Sequence, residues 1–278
     1  MPFIDVGRES SGPIQLHYED HGDGPAVVLV HGYPLDGASW EKQEAALLAA
    51  GHRVITYDRR GFGQSSQPAG GYDYDTFAAD LNQLLTALDL TDVTLGGFSM
   101  GTGEVVRYLA TYGSDRIARA ALLGPLPPFL LATDEDPPGA PQALFDGFAS
   151  AAAGDRPAFL TGFLNDFYNY DVYGGTRVSA DRLRASWNTA LLASPIAVVA
   201  CIQAWLTDFR DDLPRIDVPV LVMQGDQDRI LPPPATGERL RTLLPDARHL
   251  SVEGGPHAII WTHADQVNQA LLEFVVVK

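Results

Sequence analysis

A serine between two glycines, set where a strand-like run gives way to a helical one, constrains this chain more than any other feature. The segment 97–101 reads GFSMG, follows the β-rich run 93–95 and precedes the helical pattern 104–111. Glycines on both sides of a serine permit a sharp, strained turn that flanking side chains would block. The helix that follows directs its N-terminal amides at the serine, which favours negative charge there. The motif therefore predicts that Ser99 is a nucleophile rather than a structural turn serine.

Short β-rich runs alternate with helical patterns over most of the chain. The runs are 14–18, 26–30, 53–57, 93–95, 117–123, 219–223 and 248–252. Each run has the length of a strand, and apolar residues recur at helical spacing between them, as in 77–88. This alternation predicts an α/β fold with a mostly parallel sheet covered on both faces.

The alternation stops between about residues 125 and 212, where prolines, glycines and aromatic residues cluster. We therefore expect a core formed by residues 1–124 and 213–278, with a helical cap inserted at 125–212 over the ligand edge of the sheet. The aromatic residues of this cap would serve as ligand contacts or as a small core of their own, and we expect both uses.

Charge and apolar runs argue against several classes of partner. Thirty-five acidic and nineteen basic residues give a net charge of −16, which repels nucleic-acid phosphates and anionic lipids. The N-terminus lacks the pattern of a signal peptide, and the apolar run 190–202 is shorter than the roughly 18 residues of a membrane span. The lone Cys201 lies in an apolar stretch typical of a buried, inert thiol. We expect a soluble cytoplasmic protein with neither nucleic acid nor membrane as partner.

A serine nucleophile needs a histidine base within hydrogen-bond reach. Among seven histidines, His257 is favoured because the sequence GGP at 254–256 places it in a loop after the last strand. A final helix is expected at 258–277, and His263 inside it is the alternative base.

The base in turn needs an acid that orients the imidazole and stabilises its charged form. Asp226 and Asp228 both follow the strand that ends at Met223. Asp226 could instead bond the backbone as a turn residue beside Gly225, so these residues alone leave the choice open.

An ester carbonyl under attack also needs two donors for its developing oxyanion. The amide of Met100, next to the nucleophile, is one candidate. The other is the amide of Tyr33 in the loop after the 26–30 strand, because Pro34 has no N–H. We expect no metal or cofactor, since the chain has neither a metal-binding motif nor a complete dinucleotide loop; Ser66 stands where the third glycine of that loop would be.

Several segments resemble the cofactor-free bacterial haloperoxidases, also described as perhydrolases and aryl esterases, and the related γ-lactamases. They are LVHGYPLDGASW (29–40), RVITYDRRGFGQSSQP (53–68), GYDYDTFAADLN (71–82), GFSMGTGEVVRYLATYG (97–113) and WTHADQVNQALL (261–272). The motifs NDFYN (165–169), SWNTA (186–190) and WLTDFR (205–210) extend the resemblance into the cap. It implies an eight-stranded α/β-hydrolase fold whose catalytic triad is Ser99, Asp228 and His257, in the chain order described for that fold.

The resemblance also implies an activity. An acyl-enzyme would form on small carboxylic esters, water or hydrogen peroxide would release it, and the peracid made with peroxide would oxidise halide outside the protein. Tyr33 and Met100 would donate to the oxyanion, and the residues expected to contact substrate are Pro34, Trp205, Ile230 and Ala258. Pro34 is expected to shift a backbone carbonyl toward bound peroxide.

Two other functions stay open at this point. An amidase that cleaves small lactams would use the same triad, and a receptor-like relative would bind a small molecule with little turnover. Assembly into homo-oligomers is also expected of such relatives. The chain departs from the family at Gly96, where a bulky aliphatic is usual and glycine should loosen the strand, at Ala258, which replaces a glycine, and at 194–204.

Overall fold

The central sheet is built from aliphatic and β-branched segments that bury side chains on both faces. In the computed structural model, which describes residues 2–134 and 138–276, they form one eight-stranded sheet in the order β1-β2-β4-β3-β5-β6-β7-β8. The strands are β1 Phe3–Glu9, β2 Gly12–His21, β3 Ala26–Val30, β4 Arg53–Tyr57, β5 Val93–Phe98, β6 Ile117–Leu123, β7 Val220–Gly225 and β8 Arg248–Val252. β2 pairs antiparallel with β1 and β4, and the other neighbours pair in parallel. The predicted eight-stranded, mostly parallel sheet is confirmed.

The described residues also form eleven α-helices. These are α1 Glu41–Ala49, α2 Tyr74–Ala87, α3 Met100–Tyr112, α4 Gln142–Gly154, α5 Arg156–Tyr168, α6 Tyr170–Tyr173, α7 Ala180–Leu192, α8 Pro195–Ala204, α9 Gly237–Leu243, α10 Ile259–Thr262 and α11 Ala264–Val275. Asp73, Asp155 and Ser179 precede α2, α5 and α7, and each side chain accepts a hydrogen bond from an amide of the first turn. Such caps satisfy donors that have no partner inside the helix.

The alternation of side chains along β3 shows how the two faces are covered. Val28 and Val30 belong to a buried apolar cluster that includes residues of α2 and α3, whereas Val27 and Leu29 belong to a second cluster with residues of α1 and α11. Successive side chains of a strand point to opposite faces, so the sheet carries a core on each side.

The helices α4 to α8 lie between β6 and β7, inside the predicted insertion 125–212. Their apolar side chains join the two clusters of the sheet: Phe145 and Val198 belong to the first, and Leu164 and Phe167 to the second. Cys201 in α8 is fully buried, and burial raises the pKa of its thiol to about 12, as expected of an inert cysteine. In the described part of the chain no single helix could cross a bilayer; α7 and α8, bent by 95°, reach that length and apolarity only as a pair.

Two local expectations are corrected by the structure, and one strand was not predicted. The edge strand β1 had no clear signal in the sequence, because most of its side chains are exposed. The final helix is two helices separated at His263, where the Thr262 hydroxyl bonds both the Ala258 carbonyl and the His263 ring; residue 277 lies outside the described residues. Gly96 does not loosen β5, because it pairs with neighbours on both sides and the Leu29 side chain lies 3.0 Å from where its Cβ would be.

Candidate active site

Ser99 sits on the sharp turn between β5 and α3. Its backbone has φ 55° and ψ −122°, a conformation that costs energy for a residue with a side chain. A Cβ on Gly97 would lie 2.5 Å from the Gly101 carbonyl oxygen, and one on Gly101 would lie 2.3 Å from that of Val30. Only glycine fits at these two positions, so the motif fixes the serine at the carboxyl end of β5.

An unbroken hydrogen-bond chain joins the serine to a histidine and an aspartate. The Ser99 hydroxyl donates to His257 Nε2 at 2.8 Å, and His257 Nδ1–H donates to Asp228 Oδ2 at 2.7 Å. The other carboxylate oxygen, Oδ1, accepts from the amides of Ile230 at 2.9 Å and Leu231 at 2.8 Å. All three catalytic candidates are at least 95% buried. The arrangement can pass a proton from the hydroxyl to the imidazole while the carboxylate stabilises the charged ring.

The two loops that carry the acid and the base touch each other directly. A Cβ on Gly225 would lie 2.1 Å from the Gly255 carbonyl oxygen, and that same oxygen accepts from the Gln227 amide at 2.9 Å. The absence of a side chain at Gly225 therefore lets the loop after β8 approach the loop after β7. Asp226 is exposed beside this contact, whereas Asp228 faces the imidazole.

The alternative base lies elsewhere. His263 Nδ1 is within 2.9 Å of the Thr262 hydroxyl, and its ring meets that of Tyr173 at 5.8 Å. Burial and the nearby Arg177 lower the pKa of His263. The structure brings His257, and not His263, to the serine.

The two predicted oxyanion donors are the amides of Tyr33, in the loop after β3, and of Met100, directly after Ser99. Gly32 packs so closely on the elbow that a Cβ there would lie 2.9 Å from Ser99 Cβ, which holds the loop 31–34 against the nucleophile. The amides of Tyr33 and Met100 donate to no acceptor within the described residues. Unpaired amides beside a nucleophile can stabilise a negative oxygen.

A buried polar network holds His31 in the loop 31–34, and the sequence analysis did not predict it. Arg59 Nε donates to Glu104 Oε2 at 2.7 Å, its Nη2 donates to the His31 carbonyl at 2.9 Å, and its amide donates to His31 Nε2 at 2.9 Å. His31 Nδ1–H donates to the Gly32 carbonyl at 2.9 Å, and the Tyr57 hydroxyl also donates to Glu104. Burial and Arg59 hold the pKa of His31 well below its usual value, which keeps the ring neutral. The sequence feature that could have revealed this network was Glu104, a charged residue on the face of α3 that packs on the sheet.

A cavity of about 340 Å³ opens onto Ser99, and most of its lining is apolar. Trp205 and Ile230, two of the residues expected to contact substrate, line this cavity; that they contact substrate stays a prediction. The other lining residues are Tyr33, Leu126, Leu130, Phe145, Phe148, Ala158, Phe159, Gly162, Phe163, Asp166, Arg229 and Leu231. Pro34 and Ala258 are buried next to the catalytic residues but are not part of this lining, so their roles stay predictions. Within residues 2–134 and 138–276, no three His, Cys, Asp or Glu side chains converge as a metal site would require.

Comparison with known proteins gives relatives that span nearly the whole chain. The sequence model described as the alpha/beta hydrolase fold matches residues 25–264. A protein of Synechocystis sp., provisionally named a non-heme chloroperoxidase, is 56% identical over 99% of this chain and 100% of that protein. The bifunctional esterase/perhydrolase of Acinetobacter calcoaceticus is 32% identical over 94% of this chain and 96% of its own. The crystal structure of a bromoperoxidase from Bacillus anthracis has a TM-score of 0.94 at 45% identity, and each chain is covered to 99%.

Proposed function

The chain belongs to the α/β-hydrolase fold family, and from that premise we propose that it is a serine hydrolase with esterase and metal-free haloperoxidase activity. It acts on small carboxylic esters through an acyl-enzyme and forms peracids from carboxylic acids and hydrogen peroxide. The observation that carries this proposal is the hydrogen-bond chain from Ser99 through His257 to Asp228, at 2.8 and 2.7 Å, beside an apolar cavity.

Acylation begins when Ser99 Oγ attacks the ester carbonyl carbon and its proton passes to His257 Nε2. The carbonyl π electrons move to oxygen, and the amides of Tyr33 and Met100 stabilise this oxyanion. Asp228 stabilises the imidazolium meanwhile. When the carbonyl re-forms, the bond to the alcohol oxygen breaks and the leaving alkoxide takes the proton from His257.

The second half repeats the chemistry with a small nucleophile. Water or hydrogen peroxide gives a proton to His257 and attacks the acyl carbon, and Ser99 leaves with that proton. Water yields the carboxylic acid and peroxide yields the peracid. When a carboxylic acid acylates the serine, water is the leaving group, so acid and peroxide give peracid and water. The released peracid oxidises bromide to hypobromite in solution and returns to the acid.

Replacement of Ser99 tests the esterase. Ser99→Ala should lower kcat/KM for an aryl acetate by at least about 10⁴-fold without loss of the fold, because the nucleophile is gone. The kcat/KM of His257→Ala should fall by a comparable factor, and that of the matched control His263→Ala should stay near the wild-type value. A sulfonyl fluoride should label wild type at Ser99, as mapped by mass spectrometry. Retained turnover in Ser99→Ala, or a label elsewhere, would contradict the proposal.

Omission of the carboxylic acid tests the peracid route. Bromination of an acceptor dye should require acetate, peroxide, bromide and wild-type enzyme together, and Ser99→Ala should not support it. Bromination of equal rate without acetate would mean that the enzyme oxidises halide by another route. No feature of the described site favours the lactam-cleaving or receptor alternatives; cytoplasmic location, homo-oligomers and the limits 125–212 of the cap stay predictions.

A further inference from the structure

The C-terminal turn of cap helix α5 touches both loops that carry the triad. The Phe167 carbonyl accepts from the amide of Ala258 at 2.9 Å, directly after the base. The Asn169 side chain donates through Nδ2 to the Gln227 carbonyl at 2.9 Å, directly before the acid.

Contacts of the rings strengthen the attachment on the base side. The Phe167 ring of α5 meets the His257 imidazole edge-on, with centroids 5.2 Å apart. The Phe98 ring of core strand β5 also contacts the imidazole, at 5.1 Å. On the acid side, the described residues of the cap add an exposed ion pair to the part-buried hydrogen bond of Asn169. That pair joins Asp171 to Arg229 at 2.7 Å, with side chains 65% and 43% exposed.

The side chain at position 169 does more than end a helix. Asn169 has φ 45° and ψ 54°, a left-handed conformation that glycine adopts at less cost. Asparagine here buries its whole amide at 2% exposure, and its Oδ1 finds no partner in the part of the chain that the structure describes. A residue needed only for the turn would gain from losing this side chain, because a buried polar atom without a partner is unfavourable. The contact that it does make is the bond to Gln227.

From these contacts we infer that Asn169 is a positioning residue for the catalytic acid: its amide fixes the Gln227 carbonyl, and so fixes the orientation in which Asp228 meets His257. The inference rests on the proposed function for its catalytic consequence, but not for its geometric one. A carboxylate that rotates away from Nδ1 stabilises the imidazolium less, and this charge develops in the transition state and not in substrate binding. The cap therefore takes part in turnover as well as in enclosing the cavity.

Asn169→Gly tests this, because glycine keeps the left-handed turn and removes only the amide. We expect kcat for an aryl acetate to fall about tenfold to hundredfold, KM to change less than about twofold, and the thermal midpoint to stay near wild type. In proton NMR of the substrate-free enzyme, the far-downfield signal of His257 Nδ1–H should broaden or shift upfield. Asp171→Asn, which breaks only the exposed ion pair, is the matched control and should leave all four quantities unchanged.

Wild-type kcat and an unchanged downfield signal in Asn169→Gly would overturn the inference, and so would an equal loss in Asp171→Asn. If Asn169→Gly does not fold, Asn169→Asp provides the second variant, since it keeps the shape and the turn but loses the Nδ2 donor. If wild type has no Ser99-dependent turnover, the proposed function fails, whereas the NMR signal still decides the positioning role of Asn169.

Discussion

Replacing Glu104 by glutamine should destabilise the protein by about 3–5 kcal/mol, which is the cost of leaving one partner of a buried ion pair without its counter-charge. Glu104 and Arg59 have side chains 0% and 1% exposed and meet at 2.7 Å. Arg59 already has one nitrogen, Nη1, that is buried without a partner in the described residues. The carboxylate accepts from Arg59 and from Tyr57 through different oxygens. Glutamine keeps one oxygen to accept from Arg59, and its Nε2–H can donate to the Tyr57 hydroxyl oxygen, so the variant removes mainly the charge that compensates the guanidinium.

An exposed pair in the same chain provides the matched control. Arg248 and Glu273 also meet at 2.7 Å, but their side chains are 43% and 48% exposed, so Glu273→Gln should cost at most about 1 kcal/mol. Urea unfolding at pH 7.5, followed by circular dichroism, measures both free energies of unfolding. Added salt should reduce the small effect at Glu273 and leave the large one at Glu104 almost unchanged.

The difference between the unfolding free energies of the two variants also shows whether the Glu104 carboxyl is ionised in the native protein. Burial raises the pKa of Glu104, and Arg59 opposes this rise. If the native carboxyl were protonated, glutamine would be a neutral replacement and the two variants would cost the same; such a result would refute the reasoning. Because Arg59 also donates to the His31 carbonyl, Glu104→Gln should in addition loosen the oxyanion loop and lower kcat for an aryl acetate.

Three further predictions follow from single positions. Gly97→Ala should lose both esterase activity and stability, measured by aryl acetate turnover and urea unfolding, because its Cβ would lie 2.5 Å from the Gly101 carbonyl oxygen. Burial and the charge of Asp58 raise the pKa of Asp36 to about 6, so its stabilising contribution is complete below pH 4 and is lost as pH rises through 6. Burial raises the pKa of Asp80 to about 6 as well, so both carboxyls should lower the free energy of unfolding over that range. Asp36→Asn should make this fall about 1–3 kcal/mol smaller than in wild type; a fall of equal size in both proteins would show that Asp36 does not contribute. Gly162→Phe should raise KM for a bulky aryl ester more than for methyl acetate, because a Cβ on Gly162 has no atom within 4 Å and the residue lines the cavity; equal changes would contradict this.

Predictions from sequence succeeded where the physics is local. The runs 26–30, 53–57, 117–123 and 248–252 match strands at both ends, because turn residues bound each of these strand-length runs. The serine motif likewise placed the elbow, since the short approaches at its glycines involve neighbouring backbone. β1 was missed because a largely exposed edge strand has little apolar pattern to detect.

Contacts distant in sequence account for what sequence reasoning missed. Arg59 and Glu104 are 45 residues apart, and Asn169 and Gln227 are 58 apart. From sequence alone, a charged residue in such a contact is expected to be solvent-exposed, and an asparagine at a helix end is expected only to end the helix. In both cases the topology of the sheet supplies the partner, and no spacing along the chain records it.

That topology also explains why the imidazole must lie between the other two groups. Ser99 follows β5 and Asp228 follows β7, and β6 separates these strands in the sheet, so the two attachment points are about 10 Å apart. A serine and an aspartate cannot meet across this distance, whereas a ring with hydrogen bonds at both nitrogens can bridge it. The ring lies close to Gly124 at the end of β6, where a Cβ would be in van der Waals contact with His257 Cε1 at 3.4 Å. The sheet therefore sets the spacing of acid and nucleophile, and the loop after β8 needs only to deliver the ring over the end of the intervening strand.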